Sequence, residues 1–172
     1  MQSTLALVGP HAGLLDWLAS HDVEYEIHEH AVSFTARATA HADGVNPAAF
    51  AKVVAVGMDD RLALLVVEAA DHVDLRKARR LLDVDDVRVL SEEELARLAP
   101  EMEVGALPAI GQLFNLPMYA DHALRDNDTI SFNAGSHSFT VRVERAAWER
   151  ATGVSYADLA QERGYRPAWS RS

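Results

Sequence analysis

The chain has 172 residues, 49 % of them hydrophobic, and no cysteine; this suffices for one domain with a real core and excludes disulfides, thiolate metal sites and a cysteine nucleophile. Its net charge of −10 argues against broad, non-specific nucleic-acid binding, which needs a basic face, yet a few local cations suffice to hold one nucleic-acid end. No run reaches the ~18 apolar residues of a membrane span, and the N-terminus lacks the basic region of a secretory leader, so a cytoplasmic protein without membrane attachment is expected.

Taken in order, Leu14, Leu15, Trp17 and Leu18 recur at helical spacing across residues 11–20. Val23, Tyr25 and Ile27 then alternate with Glu24, Glu26 and His28, the pattern of a half-buried strand. Residues 35–41 carry Ala36, Ala38 and Ala40 and predict a helix capped by Ser33 or Thr35, broken after Gly44. Residues 50–56 and 62–67 are β-rich runs joined by a short polar turn, hence a hairpin apolar enough to be central.

Residues 74–82 read as a helix with Leu75, Ala78, Leu81 and Leu82 on one face, and residues 87–90 as a short strand. Ser91 and Glu94 form a capping box that opens the next helix. Residues 104–116 are apolar but irregular, with Gly105, Pro108 and Gly111 marking a structured loop. Strands follow at 117–120, 129–133 and 139–143, then a helix at 145–152 that Gly153 ends. Ser155 is expected to cap a last short helix through Gln161. Beyond Gly164 no periodicity remains, and a tail that is mobile or packs through Tyr165 and Trp169 is expected. The fold class is therefore α+β: a single domain with a mixed, mostly antiparallel sheet or partial barrel of roughly six or seven strands and helices packed outside. Residues 1–152 form the domain and 153–172 a C-terminal extension.

Lys52 stands out, because only it and Lys77 are lysines, and it sits near the start of an apolar strand. A buried ammonium loses hydration unless it is paired or faces a wet cleft. Lysines so placed often bind phosphate or carboxylate, or do chemistry with a shifted pKa. The ordinary alternative is a strand-end lysine whose stem lies on apolar surface while its head reaches water. Arg76, Lys77, Arg79 and Arg80 cluster as a local basic patch, or simply as a solvated helix face.

There is no phosphate-binding loop, dinucleotide fingerprint or nucleophile elbow. His28 and His30 share a strand face, but no third ligand stands at metal spacing, so neither a metal nor another cofactor is expected. What remains is a set of polar residues at strand and loop ends, namely His30, Lys52, Asp121, Asn133 and His137, with Gly105, Gly111 and Gly135 among them. Such a set suits a polar small molecule or a nucleotide end, with backbone groups orienting it. From the residues alone this is a ligand-binding α+β domain with no evident nucleophile–base pair.

Six segments in order resemble the YbaK-type aminoacyl-tRNA deacylases, relatives of the editing domain inserted in bacterial prolyl-tRNA synthetases. They are Tyr25-Glu26-Ile27-His28-Glu29-His30 followed by Phe34-Thr35-Ala36; Ala51-Lys52-Val53-Val54-Ala55-Val56; Asp74-Leu75-Arg76-Lys77; Gly105-Ala106-Leu107-Pro108-Ala109-Ile110-Gly111; Leu116-Pro117-Met118-Tyr119-Ala120-Asp121; and Phe132-Asn133-Ala134-Gly135-Ser136-His137. The resemblance spans residues 14–150. Two positions depart from the family pattern: Ala109 stands where the loop has proline, with Pro108 one place early, and Ala31 stands where a proline often follows the first strand.

The resemblance implies a trans-editing hydrolase that cleaves the ester of mischarged aminoacyl-tRNA, with the tRNA 3′ end as partner and an aminoacyl-tRNA synthetase as a further one. It implies Lys52 and Gly105 as catalytic, and His30, Phe34, Thr35, Asp121, Asn133, Gly135 and His137 as substrate-binding. The alternatives are a non-catalytic member that binds a tRNA end, a nucleotide or a protein, and an oligomerising protein with a vestigial pocket. Lys52, Gly105, Asp121 and His137 are expected to converge on one cleft.

Overall fold

The computed structural model describes residues 9–162. In chain order its elements begin with α1 (Ala12–Ser20), β1 (Tyr25–Glu29), α2 (Ala36–Ala42), β2 (Ala51–Met58), β3 (Arg61–Glu68) and α3 (Leu75–Leu82). They continue with β4 (Arg88–Val89), α4 (Glu92–Leu98), β5 (Met118–Asp121), β6 (Thr129–Asn133), β7 (Phe139–Glu144), α5 (Arg145–Thr152) and β8 (Ser155–Ala157).

Two sheets result. The smaller has the order β1-β7-β6 and is antiparallel throughout. The larger runs β4-β2-β3-β5-β8. Within it β2 pairs antiparallel with β3 and β4, while β3–β5 and β5–β8 are parallel. A single bridge between Phe50 and Ser131 ties the two sheets at one edge, and no closed barrel forms. The expected α+β fold, with its mixed, mainly antiparallel pairing, is what the chain adopts.

The β2–β3 hairpin is the centre of this arrangement. Met58 pairs with Arg61, leaving the two-residue turn Asp59–Asp60, and Asp59 takes φ +45°, a left-handed conformation that Asp tolerates in hairpin turns. Ala63, Leu64, Leu65, Val66 and Val67 are fully buried, because β3 is covered on both faces and so reads as one apolar run. Alternate residues serve two cores. Ala51 and Ala55 of β2 and Leu64 and Val66 of β3 pack toward α1, α5 and the smaller sheet, with Leu14, Leu18, Phe132 and Trp148. Val56, Met58, Leu65 and Val67 pack toward α3, with Ala78, Leu81 and Leu82. Each such large apolar side chain taken out of water contributes about 1.5–3 kcal/mol.

Local signals account for the helices. Asp74 accepts from the amides of Arg76 and Lys77 and caps α3, and Ser91 with Glu94 completes the capping box of α4. Gly153, at φ +65°, stops α5. Two expectations fail. Ile27 is 46 % exposed, on β1, an edge strand of the smaller sheet. The expected helix after Ser155 is instead β8, because the free edge of β5 offers parallel pairing and tertiary hydrogen bonds override weak helical propensity. The expected aromatic tail beyond Gly164 lies outside the described residues.

Candidate active site

Period-two alternation puts Lys52 on the α3 side of β2, with Val54 and Val56. At this end of the strand α3 has not yet begun, so the Lys52 side chain meets the 69–74 connection instead of a helix. Its Nζ donates to the Asp71 carbonyl oxygen. Half-burial pushes the ammonium pKa below the ordinary 10.5, while the charge of Asp71 pulls the other way without cancelling it.

Lys52 opens into a cleft of about 500 Å³ that Phe34, Thr35, Gly105, Asn133 and His137 also line. Residues brought together from 34 to 137 thus share one cavity. The rest of its wall mixes apolar side chains, among them Ala55, Ala69, Leu90 and Leu107, with the polar Arg37, Thr39 and His72. Phe34 is 76 % exposed at the rim, and its ring lies 4.9 Å from that of His137. The Thr35 hydroxyl accepts from the Ala38 amide and caps α2. Asn133 keeps a buried Oδ1 with no hydrogen-bond partner. An acceptor without a donor is costly in the free protein.

Gly105 sits on a braced loop. It takes φ +85°, and a Cβ there would meet only the His137 ring, at 3.6 Å. The loop around it is pinned by backbone bonds from Ala106 to Glu103, from Glu103 to Gly135 and from Gly135 to Ala106. The His137 amide also donates to the Glu103 carboxylate at 3.0 Å. Further along, the Trp148 indole donates to the Ala109 carbonyl at 2.7 Å. The loop is therefore held by these bonds without a proline at position 109.

Three expected residues lie elsewhere. Asp121 is 6 % exposed and does not line the cleft. Its carboxylate accepts from the amides of Ala123, Leu159 and Ala160 at 2.9–3.0 Å, so the expected convergence on the cleft holds for Lys52, Gly105 and His137 but not for Asp121. Gly135 braces the Gly105 loop from behind. A Cβ there would come within 3.0 Å of His11. His30 donates from Nδ1 to the Ala31 carbonyl at 2.7 Å and leaves a buried Nε2 without a partner, but it is not part of the cleft lining. Among the described residues no three His, Asp or Glu gather as a metal site.

Sequence reading missed His72 and the Asp71 carbonyl. His72, like Lys52, Val54 and Val89, also lines a second groove of about 970 Å³. That groove runs along α3 past Arg76, Lys77 and Arg80 to Gln161 and Glu162. Arg76, Lys77 and Arg80 of the basic cluster thus line the groove that adjoins the cleft at Lys52 and His72, whereas Arg79 lines neither.

A family model described as the aminoacyl-tRNA editing domain matches residues 30–151. Among solved structures, one from work on grafting epitope backbones onto scaffold proteins is 25 % identical with a TM-score of 0.75, covering 88 % of this chain and 94 % of that one. A proposed trans-editing enzyme for prolyl tRNA synthetase is 24 % identical with a TM-score of 0.76, covering 87 % and 95 %. A hypothetical protein at 17 % identity, with a TM-score of 0.75, has 86 % and 99 % covered. No curated protein matches the chain.

Proposed function

The chain belongs to the aminoacyl-tRNA editing domain family, and on that premise we propose that it hydrolyses the ester joining a mischarged amino acid to the 3′ end of tRNA, acting in trans. The observation that carries this reading is the meeting of Lys52, Gly105, Asn133 and His137 in one cleft. An aminoacyl ester is already activated, so placing a water and stabilising the oxyanion can suffice without a side-chain nucleophile. Water adds to the ester carbonyl carbon, and the tetrahedral intermediate expels the ribose oxygen, which takes up a proton and leaves as the terminal hydroxyl. The free amino acid is the other product.

In this scheme Lys52 holds the terminal phosphate or ribose as a compact charge. Gly105, lacking a side chain, lets its backbone approach the ester and the water. Asn133, lining the same cleft as Gly105, faces the amino-acid part of the substrate. His137 and Phe34 close the rim. The cleft selects amino-acid side chains by size, the sieve logic of editing. The groove along α3 gives the RNA backbone a basic path out of an otherwise acidic protein.

The test is a panel of Ala-, Pro-, Ser- and Cys-tRNAs followed for loss of the ester, beside Lys52→Ala. Turnover of at least one, lost in the variant, is the expected result. Retained binding of uncharged tRNA with no turnover of any substrate would instead favour a non-catalytic binder.

A further inference from the structure

We propose that residues 158–161 form a strap that sets the position of the Lys52 ammonium, with Asp121 and Lys77 as its anchors. The strap lies past residue 151, where the family match ends. Its bearing on catalysis rests on the deacylase reading above, but its bearing on Lys52 does not.

The argument follows hydrogen bonds outward from Nζ. The Lys52 ammonium donates to the carbonyl of Asp71, a residue in the irregular connection between β3 and α3. A lysine has a flexible four-carbon stem, so its charge rests where its acceptor is held. The connection is held at its β3 end by the Asp71 amide on the Glu68 carbonyl and the Ala69 amide on those of Pro47 and Phe50, and at its α3 end by the strap. Gln161 donates its amide to the His72 carbonyl at 2.8 Å, and the Asp74 amide donates to the Leu159 carbonyl at 2.7 Å. Val73 and Ala160 form the antiparallel bridge between those two bonds. Three consecutive residues after Asp71 are therefore stitched to residues 159–161.

The strap is in turn fastened from two sides. Asp121 Oδ1 accepts from the amides of Leu159 and Ala160 at 2.9 and 3.0 Å. Lys77 Nζ donates to Asp158 Oδ1 and to the Ala160 carbonyl, both at 2.8 Å. The Leu159 side chain is fully buried in the core beneath α3. The placing of Asp121 at the end of β5 and the departure of α3 at Asp74 thus converge on one carbonyl oxygen beside the cleft. Asp121 and Lys77 are positioning residues, since neither lines the 500 Å³ cleft.

With Lys52 and Lys77 as the only lysines, the full-length protein labelled with ¹³C at lysine Cε gives two side-chain signals. Lys77→Met assigns them and removes one anchor. Gln161→Pro deletes the amide hydrogen given to His72, at a site whose preceding residue is already in a β-bridge and so tolerates a following proline. In both variants the Lys52 signal should move toward that of a free lysine and its titration midpoint should rise toward the ordinary value. Deacylation kcat/KM should fall about tenfold or more, as displaced site groups generally cause. If Gln161→Pro does not fold, Lys77→Met decides alone. An unshifted Lys52 signal and midpoint in a folded variant would overturn the proposal. Because the signal is read without substrate, a wild-type protein inactive on every aminoacyl-tRNA would sink the deacylase reading and leave the strap to be judged separately.

Discussion

His137 Nε2 lies 2.7 Å from the carbonyl oxygen of Val104. A carbonyl only accepts, so this nitrogen carries the proton and the ring is a strut under the residue that precedes Gly105. His137→Ala should therefore lower single-turnover deacylation about tenfold to a hundredfold by loosening Gly105. The fold should persist, and His137→Gln, which can still donate, should recover part of the loss. Unchanged turnover in the alanine variant would remove His137 from the site.

Lys52→Ala should abolish most deacylation while leaving the protein folded, because removing a half-buried charge often costs little stability. Lys52→Arg should rescue poorly, since a planar fork does not replace a compact ammonium in a tight cleft. Rates on the preferred aminoacyl-tRNA, with melting curves beside them, check this. A folded, fully active Lys52→Ala protein would end the scheme.

Lys52 also predicts a pH signature. Its folded-state pKa is lowered below 10.5 by burial, so between the two values the unfolded chain binds more protons and stability rises with pH. The cost of burying the charge is present in full below the folded pKa and is relieved above it. Lys52→Met should thus be more stable than the wild type at neutrality, and the gap in Tm should close as pH approaches 10.5. A gap that is the same at both ends would contradict this origin.

The opposite sign applies to Glu94. Its carboxylate takes two hydrogen bonds from Arg88, at 2.6 and 2.7 Å, and one from the Ser91 amide. The Arg88 bond first, then the cap, holds its pKa at about 2 against an ordinary 4.5. This stabilisation is present above 4.5 and is lost as pH falls toward 2. The stability difference between wild type and Glu94→Gln, followed by urea midpoints, should vanish over that window.

Activity should fall with salt, but gently, because few phosphates are touched. Arg76→Ser and Arg80→Ser, on the groove along α3, should each lower kcat/KM on whole tRNA and flatten the log–log salt slope by about 1. A short aminoacylated fragment ending in the last nucleotides should be spared. Equal losses on both substrates would argue against a phosphate track.

The legible parts of the fold were those written locally. The β2–β3 hairpin, the Ser91 box and the Gly153 stop follow from neighbours in sequence and appear as expected. β8 was not legible, because its partner β5 lies over 30 residues upstream and supplies the hydrogen bonds that decide its form. Lys52 was legible because a charge in an apolar run is conspicuous. Its acceptor was not, because the Asp71 carbonyl is backbone and every residue has one. Asp121 looked like a site residue for a sound reason, a carboxylate at a strand end, but backbone amides at 159–160 had already claimed it.

Trp148 on α5 grips the Ala109 carbonyl of the glycine loop, and the same helix runs through Gly153 directly into β8 and the segment that holds the Asp71 side of the cleft. One stretch of backbone therefore touches both flanks of the cavity, at the Ala109 carbonyl on one side and at residues 72–74 on the other. Gly153 is the turn between these two contacts, and its left-handed backbone is one that no other residue type adopts as cheaply.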